Sequence, residues 1–196
     1  MAALGPALVV GLAGGLARPA AAADYAKGDM ALGSKDAPVT VVEYASMTCP
    51  HCANFANDVF PAFRKKYIDT GKVHFIFREF PFDRYALQAS MLARCAGEKR
   101  YFGLVEAFFA QQQQWVRLDD PLKGLKQIAR LGGMSGDQIQ ACLDDKSLSD
   151  MILNTRLEGN KKHGVDATPS FLVNGTKYSG EMSLERWDEI LAPLLK

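Results

Sequence analysis

The sequence has little excess charge of either sign. It carries 23 Lys and Arg residues against 22 Asp and Glu residues in 196, for a formal net charge of +1. With no dominant sign and no Lys/Arg-rich run, nothing indicates nucleic acid or an anionic membrane as the main partner. Hydrophobic residues make up 48% and charged residues 23%, as in a soluble globular chain long enough for one domain with a sizeable core.

Metal-ligating residues are also scarce, with only three His and four Cys. Structural zinc sites usually need four ligands, supplied by Cys or His pairs at short spacings. The chain has one C-x-x-C pair, Cys49 and Cys52, and no second C-x-x-C or H-x-x-x-H, while His74 and His163 are isolated. The sequence therefore predicts no metal site, and a structural or zinc-binding C-x-x-C is the alternative.

The N-terminal apolar run is shorter than the ~20 residues that span a bilayer as a helix. Residues 2–17 are almost entirely Ala, Leu, Gly and Val, and residues 20–23 are all Ala. This pattern predicts a secretory signal peptide over residues 1–23, cleaved near Ala22 or Ala23, and hence export to the periplasm. Because no Lys or Arg precedes the apolar run, an uncleaved anchor or a mis-assigned start codon is the alternative.

Two strands and a helix are predicted in the first third of the chain. Pro38–Tyr44 is rich in β-branched residues and indicates a strand buried on both faces. A helical pattern follows from Pro50, and Pro61 should kink or divide that helix. Val73–Phe77 predicts the second strand, so the two strands should be parallel and joined by a right-handed crossover.

Helical periodicity then continues through residues 84–163. Ser135 with Gln138 resembles a capping box, and Ser147 with Asp150 similarly predicts a helix start. No strand pattern interrupts this block. It is therefore expected to be an all-helical insertion.

The strand pattern returns at Ser170–Val173. Asn174-Gly175 is a strong hairpin signal, with Thr176–Ser179 as the return strand and Ser183 capping a final helix. The expected fold is α/β, with a mixed central sheet flanked by helices. The predicted divisions after the signal peptide are residues 24–83, the helical insertion 84–163 and residues 164–196.

The C-x-x-C pair lies where the first buried strand gives way to a helix. Proline is favoured at the first helical position, so Pro50 there makes Cys49 the N-cap. The N–H groups of His51 and Cys52 and the positive end of the helix dipole would then stabilise a thiolate at Cys49. Protonated His51 could add to this effect. The thiolate is the reactive form, so Cys49 is the predicted nucleophile and Cys52 the resolving thiol.

Two further positions are candidates for the same site. Strand alternation directs Glu43 toward the layer beneath the motif, where it could exchange a proton with Cys52, and a strand-end glutamate reaching solvent is the alternative. Thr168-Pro169 directly precedes a strand. X–Pro bonds are the usual place for a cis peptide, although a trans bond is by far the commoner form.

The remaining cysteines are Cys95 and Cys142. Four cysteines allow three pairings, and the simplest one joins Cys49 to Cys52 and Cys95 to Cys142. Two free buried thiols are the alternative for the second pair.

These residues together resemble the DsbA-like thiol–disulfide interchange proteins. The resemblance rests on Cys49-Pro50-His51-Cys52 after a buried strand, Glu43 six residues before it, the helical insertion, and Thr168-Pro169 before a strand and Asn174-Gly175. The runs at residues 41–52 and 164–175 are similar to the α-proteobacterial branch. The resemblance covers about residues 25–196.

The resemblance implies a thioredoxin-like fold with an inserted helical domain. It implies that Pro169 is cis and packs against the active-site disulfide, that Thr168 offers its backbone to a substrate strand, and that Glu43 is the buried acid near Cys52. It also implies a second, structural disulfide between Cys95 and Cys142. The expected partners are reduced exported polypeptides and a DsbB-like, quinone-linked membrane reoxidase.

The expected activity is that of a monomeric dithiol oxidase whose only redox group is the Cys49–Cys52 disulfide, with no further cofactor. A disulfide isomerase or reductase is the main alternative, because Thr168 stands where the best-known oxidase of the family has valine. About 15 residues separate the predicted cleavage site from the first predicted strand, too few for a dimerisation domain. A binding or chaperone module with structural cysteines, and a glutathione-dependent relative, are the more distant alternatives.

Overall fold

The computed structural model describes residues 28–196, so the signal peptide predicted over residues 1–23 lies outside the described residues. The strands are β1 (Met30–Leu32), β2 (Val39–Ala45), β3 (Val73–Glu79), β4 (Ser170–Val173) and β5 (Thr176–Ser179). The α-helices are α1 (Pro50–Asn54), α2 (Phe60–Phe63), α3 (Arg84–Cys95), α4 (Glu98–Ala110), α5 (Gln112–Trp115), α6 (Pro121–Leu131), α7 (Gly136–Leu143), α8 (Lys146–His163) and α9 (Leu184–Leu191).

The strands form one mixed sheet in the order β1-β3-β2-β4-β5. β2 and β3 are parallel, and the other neighbours are antiparallel. The predicted parallel pair and closing hairpin are therefore confirmed. The hairpin turn uses Asn174 and Gly175, both at positive φ, which is what an Asn-Gly turn requires. The three-residue strand β1 was not predicted.

The two faces of the sheet differ in what covers them. Val41 and Phe75 point into the larger core, where aromatic rings from the α1–α2 segment and α9 pack. Val42, Tyr44 and Ile76 point to the opposite face and form a smaller cluster. α8 packs closely against this second face. At Gly159 the contact is so close that a Cβ atom there would lie only 2.6 Å from Tyr44 Cε1.

The helix that follows β2 is divided, as Pro61 predicted. α1 and α2 are separated by a π-helical turn at Phe55–Val59, and a second π-helical turn follows at Arg64–Ile68. Pro61 lies in the first turn of α2, directly after the first π-helical turn, and its missing N–H removes one helical donor there, which accounts for a division at this point.

Every element between Arg84 and His163 is a helix. The capping box of Ser135 and Gln138 at the start of α7 is confirmed. The predicted helix start at Ser147 is wrong. Asp145 caps α8 instead, because its carboxylate accepts the Leu148 N–H at 3.0 Å, and this places Ser147 inside the first turn.

A buried ion-pair network and a disulfide help to hold the helical block to the sheet and to itself. Glu79 at the end of β3 is fully buried, and it accepts two hydrogen bonds from Arg94 at 2.6 and 2.7 Å and one from Tyr101 at 2.6 Å. These bonds offset the cost of burying a carboxylate and tie the sheet to α3 and α4. A disulfide joins Cys95 at the end of α3 to Cys142 in α7, with a Cα–Cα distance of 6.1 Å.

No helix within residues 28–196 is both long enough and apolar enough to cross a lipid bilayer.

Candidate active site

The C-x-x-C pair lies between the end of β2 and the first turn of α1. Cys49 is the N-cap, with extended backbone at φ −77° and ψ 120°, and Pro50 is the first helical residue. Cys49 therefore has the predicted N-cap position. Its Sγ atom, however, accepts no capping hydrogen bond from the backbone N–H groups of the first turn. The N–H groups at the helix start therefore act on the sulfur mainly as dipoles at longer range.

Cys49 is the accessible member of the pair. Its half-buried Sγ donates to the Thr168 carbonyl at 3.3 Å in the thiol form. The pKa of Cys49 is lowered to about 5, chiefly because the Cys52 thiol donates a hydrogen bond to the thiolate. The Thr168 hydroxyl and the N–H groups of Cys52 and His51 lower it further, whereas partial burial opposes the shift.

Cys52 has the opposite protonation behaviour. Its side chain is fully buried, and burial raises its pKa. The shared hydrogen bond with Cys49 and the nearby Glu43 carboxyl raise it further. At neutral pH the pair therefore consists of an accessible thiolate at Cys49 and a buried thiol at Cys52, which suits the nucleophile and the resolving thiol respectively.

Glu43 lies on β2 beneath the pair. It is only 3% exposed, so it does not reach solvent. Burial, and to a lesser extent the Cys49 charge, raises its pKa to about 8, and the carboxyl is therefore mostly protonated at neutral pH. Its Oε1 atom has no hydrogen-bond partner within the described residues. A cavity of about 20 Å³ beside it, large enough for about one water, is lined by Phe and Val side chains and by Glu106.

The loop before β4 faces the sulfur pair. The peptide bond Thr168–Pro169 is cis. The Thr168 N–H donates no hydrogen bond within residues 28–196, and the buried Thr168 Oγ1 has no full hydrogen-bond partner there. This loop therefore presents unsatisfied polar groups next to Cys49.

Gln112, which the sequence reasoning missed, positions the loop that carries Cys49. Its Nε2 donates to the carbonyls of Met47 and Cys49, both at 2.9 Å, and the side chain is 1% exposed. Gln112 belongs to α5 in the helical block. Its place in a run of four Gln residues gave no sign that one member is buried.

Glu181 was also missed. Its Oε2 lies 3.3 Å from His51 Nδ1 and 3.3 Å from Asn54 Nδ2, which donates to it. The chain reaches this position because the Gly180 N–H donates to the Pro169 carbonyl at 2.8 Å. The segment that follows β5 is thus held alongside the cis-proline loop. His51 itself is exposed, with its ring next to Glu181 rather than buried against the sulfur.

In the part of the chain that the structure describes, no three His, Cys, Asp or Glu side chains are grouped as metal ligands would be. Of the two isolated histidines, His74 is buried within β3 and His163 ends α8.

A mixed sheet, a cysteine pair at the start of a helix and a cis-proline loop facing it define a thioredoxin-like protein. A profile of the thioredoxin family matches residues 25–192. The structure is similar to that of Wolbachia pipientis alpha-DsbA1, with a TM-score of 0.83 and 34% identity over 91% of this chain and 96% of that one. The chain therefore belongs to the thioredoxin family and, within it, to the DsbA-like proteins.

Curated relatives extend the same resemblance. Disulfide bond formation protein D of Bacillus subtilis is 32% identical over 76% of this chain and 68% of that protein. A Rickettsia bellii protein, whose name describes an inferred protein-disulfide oxidoreductase, is 41% identical over 151 residues. That match covers 76% of this chain but only 58% of the Rickettsia protein, so the chain spans less than two thirds of that relative.

Proposed function

We propose that this chain is a protein dithiol:disulfide oxidoreductase that introduces disulfides into exported proteins. The observation that carries the proposal is the Cys49 sulfur, half-buried at a helix start, with its pKa lowered to about 5. A stabilised Cys49 thiolate favours the reduced pair over the disulfide, and so makes the Cys49–Cys52 disulfide an oxidant.

The proposed reaction begins with the oxidised pair. A substrate thiolate attacks Cys49 Sγ, the Cys49–Cys52 bond breaks, and Cys52 leaves as a thiolate that takes up one proton. The second substrate thiol loses its proton and attacks the substrate sulfur of the mixed disulfide, which releases Cys49 as a thiolate. Two electrons pass from the substrate dithiol to the protein, and at neutral pH one of the two thiol protons is released to water.

Glu43 and Thr168 have distinct roles in this scheme. The protonated Glu43 carboxyl lies beside Cys52 and supplies the proton that the leaving thiolate needs. The open Thr168 backbone pairs with the substrate strand and holds the attacking sulfur in line with Cys49.

A disulfide isomerase or reductase is the second candidate, because Thr168 stands before the cis Pro169 where the best-known oxidase of the family has valine. The Thr168 hydroxyl lowers the pKa of Cys49, and this effect by itself acts in the oxidising direction. The redox equilibrium of the Cys49–Cys52 pair therefore decides between the two candidates.

The cellular setting forms part of the proposal. The apolar N-terminus of the sequence supports export to the periplasm, where thiols are oxidised and disulfides persist. Reduced exported polypeptides are the proposed substrates. A DsbB-like, quinone-linked membrane protein is the proposed acceptor of the two electrons, and the chain acts as a monomer without a further cofactor.

The test combines a pH titration of the Cys49 thiolate by ultraviolet absorbance with redox equilibration against glutathione. We expect a midpoint near pH 5, an oxidising equilibrium, and oxidation of reduced RNase that Cys49→Ser abolishes. An ordinary thiol midpoint near 8.5 would contradict the proposal. An equilibrium close to that of thioredoxin, about −270 mV, would favour the isomerase or reductase instead.

A further inference from the structure

A cleft of about 490 Å³ opens on the surface beside the reactive pair. Its lining residues come from the α1 region, the cis-proline loop and the segment after β5, and they are His51, Val59, Thr168, Gly180, Glu181 and Ser183. The cleft therefore adjoins Thr168, whose carbonyl lies 3.3 Å from Cys49 Sγ. The cleft is thus close enough to Cys49 to receive a side chain that neighbours the reacting cysteine of a polypeptide.

Glu181 is the one carboxylate among the residues that line the cleft. Its side chain is 31% exposed, and within residues 28–196 no Lys or Arg forms an ion pair with it. Its two polar contacts, His51 Nδ1 and Asn54 Nδ2, are both long at 3.3 Å. Asn54 is neutral and His51 carries charge only when protonated, so the cleft presents negative charge to an incoming chain.

We infer that this cleft binds a cationic side chain, Lys or Arg, that lies close to the reacting cysteine of the polypeptide substrate. Glu181 is its counter-charge and acts as a specificity-determining residue. The inference rests on the proposed function and deepens it by naming the substrate class that this site prefers. Gly180 fixes the position of Glu181 through its bond to the Pro169 carbonyl.

The expected preference is modest, because the site is open to water. Unit charges about 4 Å apart in water attract enough to change an equilibrium about fivefold, and more where solvent is partly excluded. We therefore expect a Lys-bearing peptide to react about fivefold faster than a neutral one, and a Glu-bearing peptide to react more slowly than either. Raising the salt from 0.1 to 1 M shortens the screening length from about 10 to about 3 Å and should nearly remove the difference.

The experiment uses unstructured peptides that carry two cysteines and differ in one residue. Lys, Gln or Glu is placed in turn at each of the two positions on either side of the first cysteine. The second-order rate of oxidation by the disulfide form of the full chain is measured by acid quench and mass spectrometry. The readout is the ratio of Lys-peptide to Glu-peptide rates divided by the same ratio measured with a neutral small disulfide. The effect of the charge on the peptide's own thiol and any general change in Cys49 reactivity both cancel in this normalised ratio.

Three variants complete the design. Glu181→Gln should bring the ratio close to one, and Glu181→Lys should invert it. Glu158→Gln removes an exposed carboxylate from α8, away from the cleft, and should leave the ratio at the wild-type value. Reaction with a neutral small dithiol monitors folding and intrinsic reactivity of each variant.

The outcomes separate the inference from the proposed function. If peptides are oxidised but the wild-type ratio is near one, or if Glu181→Gln keeps the wild-type ratio, the inference is overturned and the proposed function stands. If no peptide is oxidised at all, the proposed function fails and the inference fails with it.

Discussion

Cys49 and Cys52 show how strongly position changes one residue type. The two thiols lie one helical turn apart, yet the pKa of Cys49 is lowered to about 5 while that of Cys52 is raised. The hydrogen bond from the Cys52 thiol, with further donors at Thr168 and at the helix start, causes the first shift, and burial causes the second. This asymmetry, more than the presence of two cysteines, supports directional thiol–disulfide exchange.

Glu43→Gln should stabilise the reduced protein and slow the reaction of its disulfide form. Because the pKa of Glu43 is raised to about 8, the folded state holds this proton while the unfolded state loses it above pH ~4.5. Wild-type stability should therefore fall between about pH 4.5 and 8, and the variant should gain about 1–3 kcal/mol across that range. Urea unfolding at a series of pH values measures this gain.

The same variant should oxidise peptides at least tenfold more slowly, because Cys52 loses its proton donor. Glu106→Gln is the matched control, since Glu106 lines the same cavity but has a 49% exposed side chain. It should change stability by no more than about 0.5 kcal/mol. Parallel stability–pH curves for wild type and Glu43→Gln would contradict the assignment of a buried, protonated acid.

Local sequence patterns around the C-x-x-C pair and along β2 made some residues of the site predictable. Pro50 after Cys49 marks a helix start, and alternation along β2 indicates which face Glu43 occupies. Gln112 and Glu181 could not be found in this way. Each reaches the site from a distant segment through a contact that depends on the folded chain, namely the bonds to the Met47 and Cys49 carbonyls for Gln112 and the pairing of the preceding Gly180 with Pro169 for Glu181.

At the scale of elements, α8 shows a close contact between helix and sheet. Gly159 is a residue of low helix propensity inside this continuous helix, and the ring of Tyr44 occupies the space that a side chain at position 159 would take. The Tyr44 hydroxyl in turn accepts a hydrogen bond from Arg78 at 2.8 Å, so the ring is held in place.

Gly159→Ala should therefore destabilise the protein by about 1–3 kcal/mol, because the added methyl group overlaps a ring that cannot move freely. Gly103→Ala in α4 is the matched control, since nothing beyond its own stretch of helix backbone lies within 4 Å of the position that an added Cβ would take. It should stabilise the protein by up to about 1 kcal/mol. Equal effects of the two substitutions in urea unfolding would refute this account of the α8–sheet contact.

Removal of the second disulfide should weaken the helical block. Cys95 and Cys142 are 47 residues apart, and closing a loop of that length contributes roughly 4 kcal/mol on chain-entropy grounds. We expect Cys95→Ala with Cys142→Ala to lower the unfolding free energy by up to that amount while the pH midpoint of Cys49 stays the same. A shifted Cys49 midpoint would mean that the disulfide also shapes the active site.

Strands and helices with a clear sequence pattern could be predicted, and those without one could not. β2, β3, β4 and the hairpin have clear β-branched or turn signals and were predicted within about two residues. β1 was missed because three residues carry too little periodicity. The start of α8 was misplaced because both Asp145 and Ser147 are good capping residues and only the backbone geometry distinguishes them.

At the scale of the whole molecule, the redox state should be coupled to stability. The pKa of Cys49 in the folded, reduced protein lies below that of an unfolded thiol. Its contribution to stability is therefore full above about pH 8.5, falls as the pH falls, and is lost below about 5.

The difference in unfolding free energy between reduced wild type and reduced Cys49→Ser should follow that course, rising from near zero at pH 4.5 to a plateau at alkaline pH. Thermal or urea unfolding under reducing conditions measures it. Replacing Cys142 by Ser in both proteins removes the second disulfide as a variable. A difference that does not depend on pH would show that the thiolate is not stabilised by the fold.

The side-chain amide of Gln112 limits how far the protein can be truncated by removing its helical block. The helical block reaches across with this one side chain to satisfy two carbonyls in the turn that presents the nucleophile. A trimmed protein that kept only the sheet and its flanking helices would leave the Met47 carbonyl without this donor and the Cys49 carbonyl with the Ala53 N–H alone, so the turn would be less firmly held. Efforts to engineer a minimal oxidant from this scaffold should therefore retain the block, or graft a substitute donor at that point.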